Sequence, residues 1–196
     1  MKKQILKSIF LIALSILMTA SLFSCSAKDN GDAPAGMKLA SNSEVAEYYL
    51  YVPESYIVDI TEGLTAVRVS EADSSSVTVS AFTNSSISKT ESILLDYWDS
   101  YEEALSSLFD KTEDGKSTYT LEKEAEALTL ARGESGNVSA LKYVYSGKIA
   151  GNDLKYMQVI AYHDDYFYVM TFTSTPEGFG KNSSSFDSII TNFKLK

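Results

Sequence analysis

The stretch that decides the fold runs from residue 141 to 175: Leu141-Lys142-Tyr143-Val144-Tyr145-Ser146-Gly147-Lys148-Ile149-Ala150, Gly151-Asn152-Asp153, Leu154-Lys155-Tyr156-Met157-Gln158-Val159-Ile160-Ala161-Tyr162-His163, Asp164-Asp165, and Tyr166-Phe167-Tyr168-Val169-Met170-Thr171-Phe172-Thr173-Ser174-Thr175. Three long runs rich in β-branched and aromatic residues are separated by short clusters of Gly, Asn and Asp. Short turns between alternating runs predict antiparallel hairpins. Both faces of these strands are apolar, with Tyr156, Ile160 and Tyr162 on one and Met157, Val159 and Ala161 on the other. A sheet apolar on both sides has to be covered on both.

Working toward the N-terminus, Thr118 to about Leu130 reads as a further strand, although Glu122 to Ala127 suits a helix by propensity. Asp114-Gly115 precedes it as a turn. Before that the period changes. Ile93, Leu94, Tyr97, Trp98, Tyr101, Leu105 and Leu108 recur at three- and four-residue steps, with Asp96, Asp99, Glu102, Glu103 and Ser106 opposite. This predicts an amphipathic helix with one stripe to bury. Ser88 and Glu91 have capping-box spacing and place its start. Earlier still, Tyr48–Val52, Tyr56–Ile60, Thr65–Ser70 and Ser76–Phe82 read as short strands, the first stopped by Pro53. On the other side, Pro176 stops the last long strand. A second helix is expected from about Ser183 to Asn192, with Phe186, Ile189, Ile190 and Phe193 on its apolar face. The expected class is α+β: an antiparallel β-sheet covered by helices on its faces, an α-β-α sandwich.

The beginning of the chain reads differently. Met1-Lys2-Lys3-Gln4-Ile5-Leu6-Lys7 is cationic, an apolar run follows from Ile9, and small residues Ser21 and Ser24 punctuate its end. That is the pattern of a secretory signal peptide over residues 1–24. Leu22-Phe23-Ser24-Cys25 resembles the bacterial lipobox. The resemblance implies cleavage between Ser24 and Cys25 and a diacylglyceryl group on Cys25. Cys25 is the one cysteine in the sequence, so no intramolecular disulfide can form, and lipidation accounts for an otherwise unpaired exported thiol. Two acyl chains suffice for stable anchoring. The competing reading is an uncleaved membrane helix from Ile5 to Phe23, close to spanning length, but Lys7, Ser8, Ser15, Thr19 and Ser21 dilute it. Residues 25–36, which carry no large apolar side chain, read as a flexible tether. Residues 37–196 read as a single globular domain. The expected location is the extracytoplasmic face of a cell membrane, reached through the lipid on Cys25.

Lys2, Lys3 and Lys7 leave with the leader, so 14 of the 17 basic residues remain against 26 acidic ones, a formal charge near −12. Such a surface repels nucleic acid, which is excluded as an expected partner. Thirteen tyrosines and nine phenylalanines argue for a folded, sheet-rich domain.

The domain resembles the PsbP/Mog1-like family in its small bacterial lipoprotein branch. The residues that carry the resemblance are Tyr49-Leu50-Tyr51-Val52-Pro53 followed by Tyr56, where the family has Trp. To these are added Lys142-Tyr143-Val144-Tyr145-Ser146-Gly147, Met157-Gln158-Val159-Ile160, Tyr166 to Thr173, and Phe186, Ile189, Ile190 and Phe193. The resemblance covers residues 37–196. It implies the α-β-α sandwich and an accessory, non-catalytic role. It carries over no partner-binding residue.

Chemistry-bearing candidates are few. His163, the one histidine, has neither the second imidazole nor the thiolate that a catalytic zinc site wants. It reads as part of a polar hairpin tip. No Gly-x-Ser-x-Gly elbow surrounds any serine, and Gly178-Phe179-Gly180 lacks the third glycine of a dinucleotide fingerprint. Asp110-Lys111-Thr112-Glu113-Asp114-Gly115 offers Asp110, Thr112 and Asp114 as weak calcium candidates, with Leu121 where the EF-hand loop requires Glu. The late tyrosines form either a ligand platform or core packing. No enzyme activity and no cofactor are expected. The expected function is a protein-interaction or accessory domain, with small-ligand or calcium binding as the alternative.

Overall fold

A computed structural model describes residues 33–41, 44–61, 64–70 and 72–196. The expected leader, Ser24, Cys25 and the first part of the tether lie outside the described residues. Eleven strands and two helices follow: β1 Met37–Leu39, β2 Tyr48–Tyr49, β3 Tyr51–Pro53, β4 Ile57–Thr61, β5 Leu64–Arg68, β6 Ser76–Phe82, α1 Ile93–Ser106, β7 Thr120–Arg132, β8 Gly136–Ile149, β9 Asn152–His163, β10 Tyr166–Ser174, α2 Pro176–Asn192 and β11 Lys194–Leu195. Nine strands form one sheet in the order β2-β11-β7-β8-β9-β10-β6-β5-β4, and β1 pairs with β3 in a separate ribbon.

The deciding stretch behaves as its pattern predicts. β8, β9 and β10 pair antiparallel in sequence order, with Tyr145 opposite Tyr156 and Ile160 opposite Val169. The strip from Thr118 is strand, paired along β8 but with two register shifts between Leu121 and Glu126. The single Tyr48–Val52 strand expected from the sequence is two. The chain breaks at Leu50, β2 joining the main sheet through β11 and β3 joining β1.

The two sheet faces bury against different helices. Met157, Val159 and Ala161 of β9 pack with Phe186, Ile189 and Ile190 of α2. Ile160, Tyr156 and Tyr162 pack with Ile93, Tyr97, Trp98 and Leu105 of α1. The α+β class stands. The antiparallel α-β-α sandwich is corrected, because β11 runs parallel to β7, making the sheet mixed, and two helices serve nine strands. Periodicity reports which side of a strand is buried, not which neighbour it takes. A two-residue strand such as Lys194-Leu195 has no period to read.

Both helix starts differ from expectation. The Ser88–Glu91 capping box does not form. α1 begins at Ile93, and its N-cap Ser92 makes no side-chain cap bond. Thr90 Oγ1 and Ser92 Oγ instead donate to the Asp96 carboxylate at 3.0 and 3.2 Å, which also sets a negative charge in the first turn. α2 begins at Pro176, seven residues before the expected Ser183. Thr175 Oγ1 accepts from Gly178 N at 3.1 Å, and Pro176 occupies the first helical turn, where its missing N–H costs nothing. Gly178 and Gly180 weaken the helical signal of that turn, but capping overrides them.

The β8–β9 turn also differs: it begins one residue earlier than the expected Gly151-Asn152-Asp153 and ends at Gly151. Its left-handed residues are Ala150 (φ 50°) and Gly151 (φ 79°), while Asn152 and Asp153 already belong to β9. The β9–β10 turn uses Asp164 (φ 47°) and Asp165 (φ 68°), as expected for a two-residue hairpin of the I′ kind.

Candidate functional site

Each sequence candidate among the described residues has an internal employment. Asp110 clamps the β8–β9 turn: its Oδ1 accepts from Ala150 N at 3.1 Å and its Oδ2 from Gly151 N at 2.7 Å. Its backbone N–H donates to Lys148 O, and its carbonyl accepts from Thr118 N. Thr112 donates to Asp114, and Asp114 Oδ2 pairs with Lys116 at 3.0 Å. The segment is a small hairpin, with Lys111 bridged to Ser117, not an open cation loop. Among the described residues no three His, Cys, Asp or Glu side chains gather where a metal would be held. His163 ends β9, with its Nε2 3.1 Å from Arg132 Nη1 and 3.2 Å from Asp164 Oδ2.

A polar cluster absent from the sequence reading ties the β6 entry to α2. Asp73 Oδ1 accepts from Ser75 N at 2.9 Å, and its Oδ2 accepts from Asn182 Nδ2 at 2.9 Å. Asn182 Nδ2 also reaches Ser75 Oγ at 3.2 Å, and Ser75 Oγ shares a 2.6 Å bond with Ser174 Oγ. Hydrogen bonding holds the Asp73 carboxyl below its ordinary range, the Ser75 hydroxyl first, the Asn182 amide second and the Ser75 N–H after them. The partners lie about a hundred residues apart, so no local pattern announces them. The cluster is a staple between layers.

The late tyrosines form core rather than an open platform. Trp98 stacks on Tyr143 with ring centroids 3.7 Å apart, and Tyr145 stacks on Tyr156 at 5.0 Å. Burial drives the Tyr145 hydroxyl well up. Burial, then the charges of Asp99 and Glu102, push Tyr143 up to about 12. At the edge of the layer, Tyr119 donates to Glu102 Oε1 at 2.8 Å.

Open grooves among the described residues include the following two. One of about 350 Å³ lies between the start of α1 and the β7–β8 pair, with Leu94, Leu95, Leu128 and Leu141 in its wall. Leu95 is 48 % exposed. The other, about 300 Å³, carries the Lys155–Glu122 ion pair beside Pro176. Among the described residues no helix is long and apolar enough to cross a membrane.

No family model and no curated protein matches the chain. Solved structures do. The solution structure of PsbP from the cyanobacterium Synechocystis overlays with a TM-score of 0.56 at 14% identity, covering 92% of this chain and 99% of that one. A Pseudomonas aeruginosa protein of unknown function overlays at 0.51 with 16% identity, covering 80% and 94%. The Saccharomyces cerevisiae Ran-binding protein Mog1p overlays at 0.49 with 12% identity, covering 81% and 95%. The match to PsbP spans nearly the whole of both chains: the chain has the PsbP/Mog1-like fold.

Proposed function

We propose that the chain is an extracytoplasmic lipoprotein, held to a membrane by a diacylglyceryl group on Cys25, whose domain works as a non-catalytic accessory by binding another protein. The observation that carries the anchoring is the sequence Leu22-Phe23-Ser24-Cys25 at the end of an apolar leader, with no second cysteine anywhere in the chain. An accessory role is supported by how the polar groups are used. Asp110, Asp73, Asn182 and His163 each bond within the domain, which suits a scaffold. The fold is shared with PsbP, and a shared fold leaves the function to be argued from the surface.

Intact mass spectrometry of the native, membrane-extracted protein tests the anchor. The mature chain is expected to begin at Cys25 and to carry the mass of the lipid, and an unmodified thiol there overturns it. In-membrane crosslinking followed by capture tests the role, and a recurrent stoichiometric protein partner is the expected result. A second reading, a small apolar ligand in the groove beside Leu95, is favoured by that groove's volume, which lies within the range of small-molecule sites. Thermal-shift screening with calcium included separates the two: stabilisation by a small molecule or cation, without a protein partner, favours the second.

A further inference from the structure

The aromatic layer under α1 is continuous from one end of the helix to the other. Tyr119 lies against Tyr145 (ring centroids 5.7 Å apart), Tyr145 against Trp98 (6.0 Å), and Trp98 against Tyr101 (6.1 Å). Tyr101 lies against Tyr97 (5.7 Å), Tyr97 against Phe167 (4.6 Å), and Phe167 against Tyr162 (4.9 Å). Only the two ends of this run donate a phenolic proton to a carboxylate among the described residues: Tyr119 to Glu102 Oε1 at 2.8 Å, and Tyr162 to Asp165 Oδ1 at 3.0 Å.

That placement matters for electron loss. A phenol stripped of one electron becomes a strong acid, and it persists as a radical only where a base takes its proton. Burial pushes up the hydroxyls of Tyr97 and Tyr145 and those of the two ends alike; what sets the ends apart is the carboxylate each one bonds. The indole of Trp98, by contrast, can pass an electron without a bonded base. The two ends are not equal. Asp165 is claimed by Lys89 in an ion pair, which makes its carboxylate a weaker base. Glu102 has no cationic partner within salt-bridge distance among the described residues.

We propose that Tyr119 is a one-electron oxidation site, with Glu102 as its proton acceptor and the Tyr145–Trp98–Tyr101–Tyr97 layer as the route by which oxidation elsewhere under α1 is drawn to it. The co-reactant is a one-electron oxidant of the oxygen-radical class, such as the carbonate radical anion. It takes one electron from the phenol and is reduced to carbonate. The Tyr119 O–H bond breaks, its proton passes to the Glu102 carboxylate, and a neutral phenoxyl radical and a neutral carboxylic acid remain.

The test exposes the purified full chain to photogenerated carbonate radical anion. Freeze-quenched samples are read by electron paramagnetic resonance, and oxidised or cross-linked tyrosines are mapped by peptide mass spectrometry. Tyr119 is expected to lead Tyr166, although Tyr166 is 45 % exposed. Glu102→Gln keeps the size and an acceptor oxygen but removes the base. It should cut product at Tyr119 about a hundredfold or more, the low side of what a positioned base contributes. Tyr119→Phe should remove the tyrosyl signal assigned to that site. Product led by Tyr166, or a Tyr119 yield untouched by Glu102→Gln, overturns the proposal. Trp98→Phe tests the route and should lower the Tyr119 yield while circular dichroism stays native. If that variant does not fold, Tyr101→Phe takes its place, and an unchanged yield in the folded variant overturns the routing.

Discussion

At the scale of single residues, the β8–β9 turn carries a local conflict. Ala150 is held at φ 50°, a left-handed conformation that costs an L-residue with a Cβ roughly 1–2 kcal/mol. Two features hold it there: the I′ geometry the hairpin needs and the Asp110 carboxylate bonded to both turn N–H groups. Glycine at position 150 removes the clash but raises unfolded-state entropy by about 0.5–1 kcal/mol. Ala150→Gly is therefore expected to stabilise the domain by a few tenths to about 1 kcal/mol, read as a higher urea midpoint at unchanged slope. A lower midpoint shows that the turn tolerates Ala without strain. Asp73 gives a second residue-level expectation. Its folded-state pKa is depressed from an ordinary 3.8, by the Ser75 and Asn182 bonds. The stability it contributes is then fully present above that ordinary value and is lost as pH falls through the lower, folded value. Asp73→Asn should flatten the acid limb of the stability–pH curve below about pH 4 and leave the slope above pH 5 unchanged.

At the scale of elements, the helices show what capping chemistry does and what spacing alone does not. Ser88 and Glu91 have the right separation for a capping box, yet α1 starts at Ile93, because Thr90 and Ser92 find Asp96 first. Thr175 has no glutamate three residues on, yet it caps α2, because Pro176 fixes the next φ and Gly178 N points back at its hydroxyl. The two sites make opposite predictions. Thr175→Ala should cost about 1 kcal/mol, whereas Ser88→Ala should fall within about 0.5 kcal/mol of wild type, both measured by denaturant melts. Equal losses would mean that the box forms in solution. The same contrast shows what was legible in advance. The hairpins of β8, β9 and β10 and the stripe Ile93, Tyr97, Trp98, Leu105 were readable, because burial imposes a period of 2 or 3.6 on neighbouring residues. The start of α2 was hidden by two glycines. The Asp73–Ser75–Asn182 staple was hidden by distance along the chain, and so was the use of Asp110 as a turn clamp: the acidic loop read as a cation candidate because its true partners, Ala150 and Gly151, lie some forty residues away.

At the scale of the whole molecule, one end of the sheet rests on one of its two shortest strands. β11 is two residues long, yet it pairs antiparallel with β2 and parallel with the end of β7. It therefore joins the N-terminal strand Tyr48–Tyr49 to the body of the sheet. Leu195 is fully buried and sits in one apolar cluster with Tyr48, Leu130 and Phe193, while Tyr48 stacks on Phe193 at 5.5 Å. Truncating such a leucine removes its transfer energy and leaves a cavity, for a cost of roughly 2–5 kcal/mol. The loss here goes beyond one side chain. Along Thr120–Leu130 the outer side of β7 has no pairing strand among the described residues, since β11 meets β7 only at Ala131 and Arg132. Loosening β11 lengthens that open edge, and an unpaired edge is a template for another chain. The register shifts between Leu121 and Glu126 and the charges of Glu122, Lys123, Glu124 and Glu126 blunt the first half of the edge but not the second. Leu195→Ala is thus expected to show two linked effects: a lower melting temperature, and association that grows with protein concentration in light scattering. Val45→Ala, at a side chain 74 % exposed, should show neither. If Leu195→Ala melts lower but stays monomeric at every concentration, β11 stabilises the core without guarding the edge, and the second half of β7 protects itself.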